Sequence, residues 1–261
     1  MERSDTMTKT PWIGTSWKMN KTRAEARAFC EALKASPVAS TEAARPFIIP
    51  SFMAVAEVAA LMAGTRVTVG VQNMHWAEEG PWTGEISARM VIDSGATLVE
   101  IGHSERREFF NETDETVALK VAQAIRHGLV PLVCVGDTHA EYAAGETAAA
   151  LHRQVTGAMS RVDRADARKV VIAYEPVWSI GEKGVPADPD FVDEQHVRLK
   201  ALTADLAGSP LEILYGGSVN PGNCVALASR PTIDGLFIGR SAWDPRGFVG
   251  IVESVTAALA A

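Results

Sequence analysis

The chain has 261 residues, of which 47% are hydrophobic and 22% charged, and a formal net charge of −7. That length suffices to bury a large core, and the composition is that of an ordinary globular protein. The acidic balance argues against non-specific nucleic-acid binding, which needs a basic face, and it requires that any anionic ligand be held by local groups.

The opening stretch MERSDTMTKT is polar and lacks an apolar signal-peptide core, so residues 1–10 are expected to form a flexible tail ahead of a single domain spanning 11–261. No apolar run reaches the roughly 20 residues of a membrane span. Cys30, Cys134 and Cys224 are odd in number, far apart and without metal-ligand spacing. They read as reduced thiols of a cytoplasmic protein, and neither metal nor cofactor is expected.

Short apolar, β-branched runs then alternate with helical segments. The first run, WIGTSW (12–17), leads into Lys18. A lysine after an apolar strand is either a solvated rim residue or a fixed positive charge for an anionic substrate. TRAEARAFCEALKAS follows, with apolar residues near helical spacing. FIIP (47–50) and VTVGVQ (67–72) are the next strands, and TLVEIG (97–102) is the fourth. The fourth ends in Gly102-His103-Ser104-Glu105-Arg106-Arg107, where a helix should start near Ser104. His103 would then lie beside a helix N-terminus, which disfavours imidazolium and suits a neutral hydrogen-bond donor to a carbonyl. A surface charge cluster is the plainer alternative.

ETDETVALKVAQAIRHG starts acidic and stops at Gly128, as a helix should. VPLVCVG (130–136) and VVIAYE (170–175) are strands five and six. The sixth ends in Glu175, followed by a loop carrying Val177, Trp178 and Ile180. Apolar side chains in a rim loop suggest a lid that excludes water and raises the basicity of Glu175 by desolvation. DPDFVDEQHVRLKALTADLAG opens with an N-cap aspartate and a proline and ends at Gly208. LEILYG (211–216) and IDGLFIG (233–239) are followed by small residues, at Gly216-Gly217-Ser218 and Gly239-Arg240-Ser241. Backbone N–H groups in such loops can approach a phosphate, although glycine also serves ordinary turns. His75, His127, His139, His152 and His196 lack ligand spacing and read as surface or helix residues.

Eight strand–helix units of about 30 residues match a (β/α)8 barrel, the TIM barrel, with its chemistry at the C-terminal strand ends. An open doubly wound sheet usually carries a glycine-rich turn after its first strand, and Trp17-Lys18-Met19 stands there instead. A lysine, a histidine, a glutamate and a small-residue cradle at one end of a barrel form a set for proton transfer next to a carbonyl on a phosphorylated ligand.

WKMN (17–20), QNMHW (72–76), TGEIS (83–87), GHSERR (102–107), YEPVW (174–178) and YGGSV (215–219) resemble, in order and separation, the signatures of the triosephosphate isomerase family. That family is itself a standard example of pKa tuning, so the following roles come from the resemblance and not from spacing. The resemblance implies Glu175 as general base and His103 as the group that polarises the carbonyl and shuttles a proton between oxygens. Lys18 would stabilise negative charge, with Glu105 supporting it. Gly181, Ser218, Gly239 and Arg240 would offer backbone N–H groups to phosphate. Residues 73–85 look like the family's dimer loop, in which Thr83 reaches the neighbour's active site, so a homodimer is expected.

Three positions depart from the family pattern. Ser16 replaces the usual asparagine two residues before the lysine. The lid continues Gly181-Glu182-Lys183-Gly184-Val185-Pro186, without the usual Thr-Gly-Lys-Thr. Arg240 replaces the second glycine of the last phosphate loop. The shorter Ser16 leaves room for one more hydroxymethyl group. TSWKMN, NPGNC (220–224) and DGLFIGRSAW (234–243) are similar to a branch of the family that acts on L-erythrulose 1-phosphate in erythritol breakdown. The expected substrate is therefore that small phosphorylated ketose. The triose reaction of glycolysis and gluconeogenesis is the alternative, and a non-catalytic binding barrel is a remote one.

Overall fold

The computed structural model describes residues 9–181 and 184–261. Eight parallel strands close into a barrel in sequence order. They are β1 (Trp12–Ser16), β2 (Arg45–Ile49), β3 (Thr68–Val71), β4 (Leu98–Ile101), β5 (Val130–Val135), β6 (Val171–Tyr174), β7 (Glu212–Tyr215) and β8 (Gly235–Ile238). Closure is made by β1 pairing with β8, with Thr15 opposite Ile238. All eight apolar runs become strands, and the doubly wound alternative is excluded because no sheet edge remains open.

Two layers of side chains hold the barrel. Phe47, Ile49, Leu98, Leu132, Cys134, Ala173, Leu214 and Phe237 fill its interior. A larger shell, with Ile13, Val99, Ile101, Val133 and Ile172 on the opposite strand faces, packs against the surrounding helices. Alternate residues of one strand serve the two layers, which is why these runs are apolar almost throughout.

The helices form where capping and composition direct. Helix α1 (Arg23–Lys34) starts at a Thr22–Glu25 capping box and buries Ala26, Phe29, Cys30 and Leu33 on one face. The long helix from Pro189 to Ala207 is capped by Asp188, which accepts from the N–H groups of Asp190 and Phe191. It ends at Gly208 with φ 80°, a left-handed conformation that favours glycine. All three cysteines are buried and unpaired. Of the expected N-terminal tail, residues 1–8 lie outside the described residues. Lys9 Nζ donates to the carbonyl oxygens of Arg230, at 3.0 Å, and Ile233. Among the described residues no helix is long and apolar enough to cross a membrane.

Candidate active site

Parallel strands put all their C-terminal ends on one side of the barrel, so the residues that follow β1, β4, β6, β7 and β8 converge there. Lys18 stands two residues beyond β1 with φ 52°, in the left-handed region that side-chain-bearing residues seldom adopt. Buried Trp17, packed on Phe29, anchors the turn, and Gln72 Nε2 donates to the Lys18 carbonyl at 2.8 Å. Lys18 Nζ lies 2.7 Å from Glu105 Oε1.

His103 caps a short helix, Ser104–Phe109. Its Nδ1 accepts the Glu105 backbone N–H at 3.1 Å, so a neutral ring carries its proton on Nε2. That nitrogen is 3.6 Å from Glu175 Oε2. Burial, reinforced by the positive charge of Lys18, lowers the imidazole pKa to about 4. The His103–Glu175 approach is therefore not an ion pair at neutral pH: the ring stays neutral.

Glu175 follows β6 directly and its backbone N–H donates to Val135 O at 2.8 Å. The residue is 4% exposed, and its Oε2 is buried without a hydrogen-bond partner among the described residues. Burial first, and then the neighbouring Glu100 carboxyl, raise its pKa to about 8, against the opposing pull of Lys18. Gly216 makes room for it, since a Cβ there would stand 2.6 Å from Glu175 Cγ. A buried carboxyl of raised basicity, with Oε2 unpaired and turned toward a donor imidazole, can take a proton from carbon while the imidazole supports the oxygen beside it.

The two groups open on a cavity of about 300 Å³. Ser16, Lys18, His103, Glu175, Gly181, Ser218, Gly239 and Arg240 all line it. Glu105 stands behind Lys18, and Thr83 lies in an exposed loop outside this cavity. Ser218 N–H donates to Ser179 Oγ at 3.1 Å, so an anion bound to that N–H would have to share or displace the hydroxyl.

The segment expected as a lid begins with a single 3-10 turn, Val177–Ser179. Trp178 Nε1 donates to Asp137 Oδ2 at 3.1 Å and its ring stacks on Tyr142 at 4.3 Å. Glu182 and Lys183 lie outside the described residues. Among the described residues no group of three potential ligand side chains is placed to hold a metal ion.

One histidine differs from expectation. His75 is neither on the surface nor in a helix: it is buried, with its ring stacked on Trp76 at 4.0 Å and close to Trp82 at 4.4 Å. Aromatic packing after β3 supplies a cover that spacing alone could not reveal. Sequence reasoning also passed over Asp137, the buried acceptor for Trp178, Tyr174 and Thr147. It passed over Glu100 too, whose carboxyl accepts from Ser16 Oγ at 2.8 Å. The signal was present, because Glu100 is the one charged residue in LVEI.

The family model for triosephosphate isomerase matches residues 11–255. The chain belongs to the triosephosphate isomerase family. It is 53% identical over 242 residues to L-erythrulose-1-phosphate isomerase of Brucella abortus biovar 1 (strain 9-941), covering 92% of this chain and 94% of the relative. The proteins of that name from Rhizobium rhizogenes and Mesorhizobium japonicum are 51% and 52% identical, covering 97% and 95% of this chain and 98% of each relative. As a member of the triosephosphate isomerase family the chain is an isomerase.

Proposed function

We propose that the chain interconverts L-erythrulose 1-phosphate and D-erythrulose 4-phosphate without a cofactor. Glu175 removes the C3 proton. The electron pair moves into the C2–C3 bond and the C2 carbonyl oxygen takes up negative charge, stabilised by Lys18 and by His103 Nε2–H. His103 moves a proton between the two enediolate oxygens. Glu175 then returns its proton to C2, and C3 becomes the carbonyl carbon. The phosphate rests against the loops after β6, β7 and β8, where Gly181, then Ser218, and then Gly239 and Arg240 contribute backbone N–H groups. Glu105 restrains the Lys18 side chain.

The observation that carries the choice of a four-carbon substrate is Ser16. Its short side chain lines the cavity and is turned onto Glu100, which leaves space where a longer amide would project. The names borne by the relatives point the same way. The test is a side-by-side assay of purified enzyme on L-erythrulose 1-phosphate and dihydroxyacetone phosphate. A kcat/KM well above that for the triose is expected for the tetrulose, and a strong preference for the triose would reject the assignment.

The working form is a homodimer with Thr83 reaching the neighbouring site. Exposed Met19, Trp82, Phe109 and Phe110 support this, because large apolar side chains left in water favour a partner surface. Three buried, unpaired cysteines suit the reducing cytoplasm, and erythritol breakdown is the setting such a substrate implies.

A further inference from the structure

Glu100 is a carboxyl inside an apolar barrel. It follows Leu98 on the same face of β4, and Leu98 belongs to the barrel interior, so Glu100 points inward one layer nearer the site. The residue is 3% exposed. A buried carboxyl is costly unless it is hydrogen-bonded, and the partner found here is the Ser16 hydroxyl, at 2.8 Å from Oε2. Ser16 lines the cavity beside Lys18, His103 and Glu175. Glu100 is thus one hydroxyl removed from the space that a ligand would occupy.

A serine hydroxyl has one proton and two lone pairs. When Glu100 is ionised, or accepts through its carbonyl oxygen, that proton is committed to it and the serine oxygen meets the cavity as an acceptor alone. It can then receive a hydrogen bond from a substrate hydroxyl, and it cannot donate to a carbonyl or enediolate oxygen. An asparagine in this place would present an amide donor as well. We infer that Glu100 is a positioning residue: it fixes the Ser16 hydroxyl as an acceptor for the terminal C4 hydroxyl of a tetrulose phosphate, a group that a triose phosphate lacks. This rests on the substrate reading given above.

Glu100 also acts on Glu175 through space, being the second cause of that group's raised pKa after burial. That influence reaches every substrate alike. The ratio of kcat/KM between tetrulose and triose therefore isolates the positioning role, whatever happens to absolute rates.

The experiment compares wild type, Ser16→Ala, Glu100→Met, their double variant and Glu100→Gln on both substrates, with thermal melts to confirm folding. Ser16→Ala and Glu100→Met should each lower the tetrulose-to-triose ratio by about three- to tenfold, the scale of one productive hydrogen bond. The double variant should lower it no further, because both single changes remove one arrangement. Glu100→Gln keeps an acceptor oxygen of the same reach and should hold the ratio within about twofold of wild type, below the scale of one hydrogen bond. An unchanged ratio in Glu100→Met, or multiplying effects in the double variant, overturns the inference. Should Glu100→Met not fold, an unchanged ratio in Ser16→Ala overturns it equally. A wild type that prefers the triose instead overturns the substrate reading, which separates the two failures.

Discussion

At Glu175 two physical effects oppose each other. Burial raises the carboxyl's basicity, while the same burial keeps much of it protonated below its pKa of about 8. We expect kcat/KM to rise with pH on a limb centred near 8, distinct from ionisation of a substrate phosphate at about 6. A pH–rate profile from 5 to 10 checks this, and a profile already flat above about pH 6.5, as an ordinary carboxylate of pKa 4.5 would give, would rule it out. Replacing Glu175 with Gln should lower kcat by at least the roughly 10²–10⁴-fold associated with a positioned general base. Steady-state turnover measures it, and near-normal rates would remove Glu175 from that role. His103, with a pKa of about 4, stays neutral across the same range and should add no second limb above pH 5.

Elements matter here chiefly by where they stop. The strand that ends at Tyr174 delivers Glu175, and the loop after β7 leaves the space into which its carboxyl fits. Gly216 is the tight point: an added Cβ would meet Glu175 Cγ at 2.6 Å and Oε1 at 2.7 Å. Gly216→Ala must therefore push the carboxyl aside. A displacement on the order of 1 Å can cost about 100-fold in rate, so kcat should fall by about that factor. Thermal melting should show a far smaller change, and a variant that keeps wild-type kcat would show that Glu175 has slack. The loop after β6 is rooted in the same manner. Buried Asp137, just past β5, gathers Trp178, Tyr174 and Thr147, so one carboxyl joins β6, the turn Val177–Ser179 and the helix Thr147–Met159.

For the molecule as a whole, the buried titratable groups make stability depend on pH in two directions. The Glu100 and Glu175 carboxyls have folded pKa values raised from 4.5 to about 7 and about 8. Their protonated forms favour the fold, so their contribution is complete below pH 4.5 and is lost as pH rises through 7 to 8. His103 and His196 are lowered from 6.5 to about 4 and about 3. Their contribution is complete above pH 6.5 and is lost as pH falls toward 3 to 4. These four groups together favour the interval between 4.5 and 6.5. Glu175→Gln should accordingly melt higher than wild type at pH 9, with the gap closing toward pH 5. Melts at both pH values check this, and a gap independent of pH would contradict it. Assembly is tested at the same scale. Sedimentation should give twice the 27.9 kDa chain mass, and Thr83→Arg should shift the population toward monomer.

Chain-local information was enough for the barrel, because eight apolar runs with no open-sheet signature admit few other closures, and the caps at Thr22 and Asp188 and the stop at Gly208 act within a few residues. The family motifs likewise marked Lys18, His103, Glu175 and the small-residue loops. What tertiary structure alone decided is who faces whom. Ser16 and Glu100 are 84 positions apart, and their hydrogen bond exists only because barrel closure turns both into one interior. The same holds for His75 beneath its aromatic cover and for Gly216 beneath Glu175. Burial and pairing are properties of distance in space, which a linear pattern carries only where neighbours in space are also neighbours in the chain.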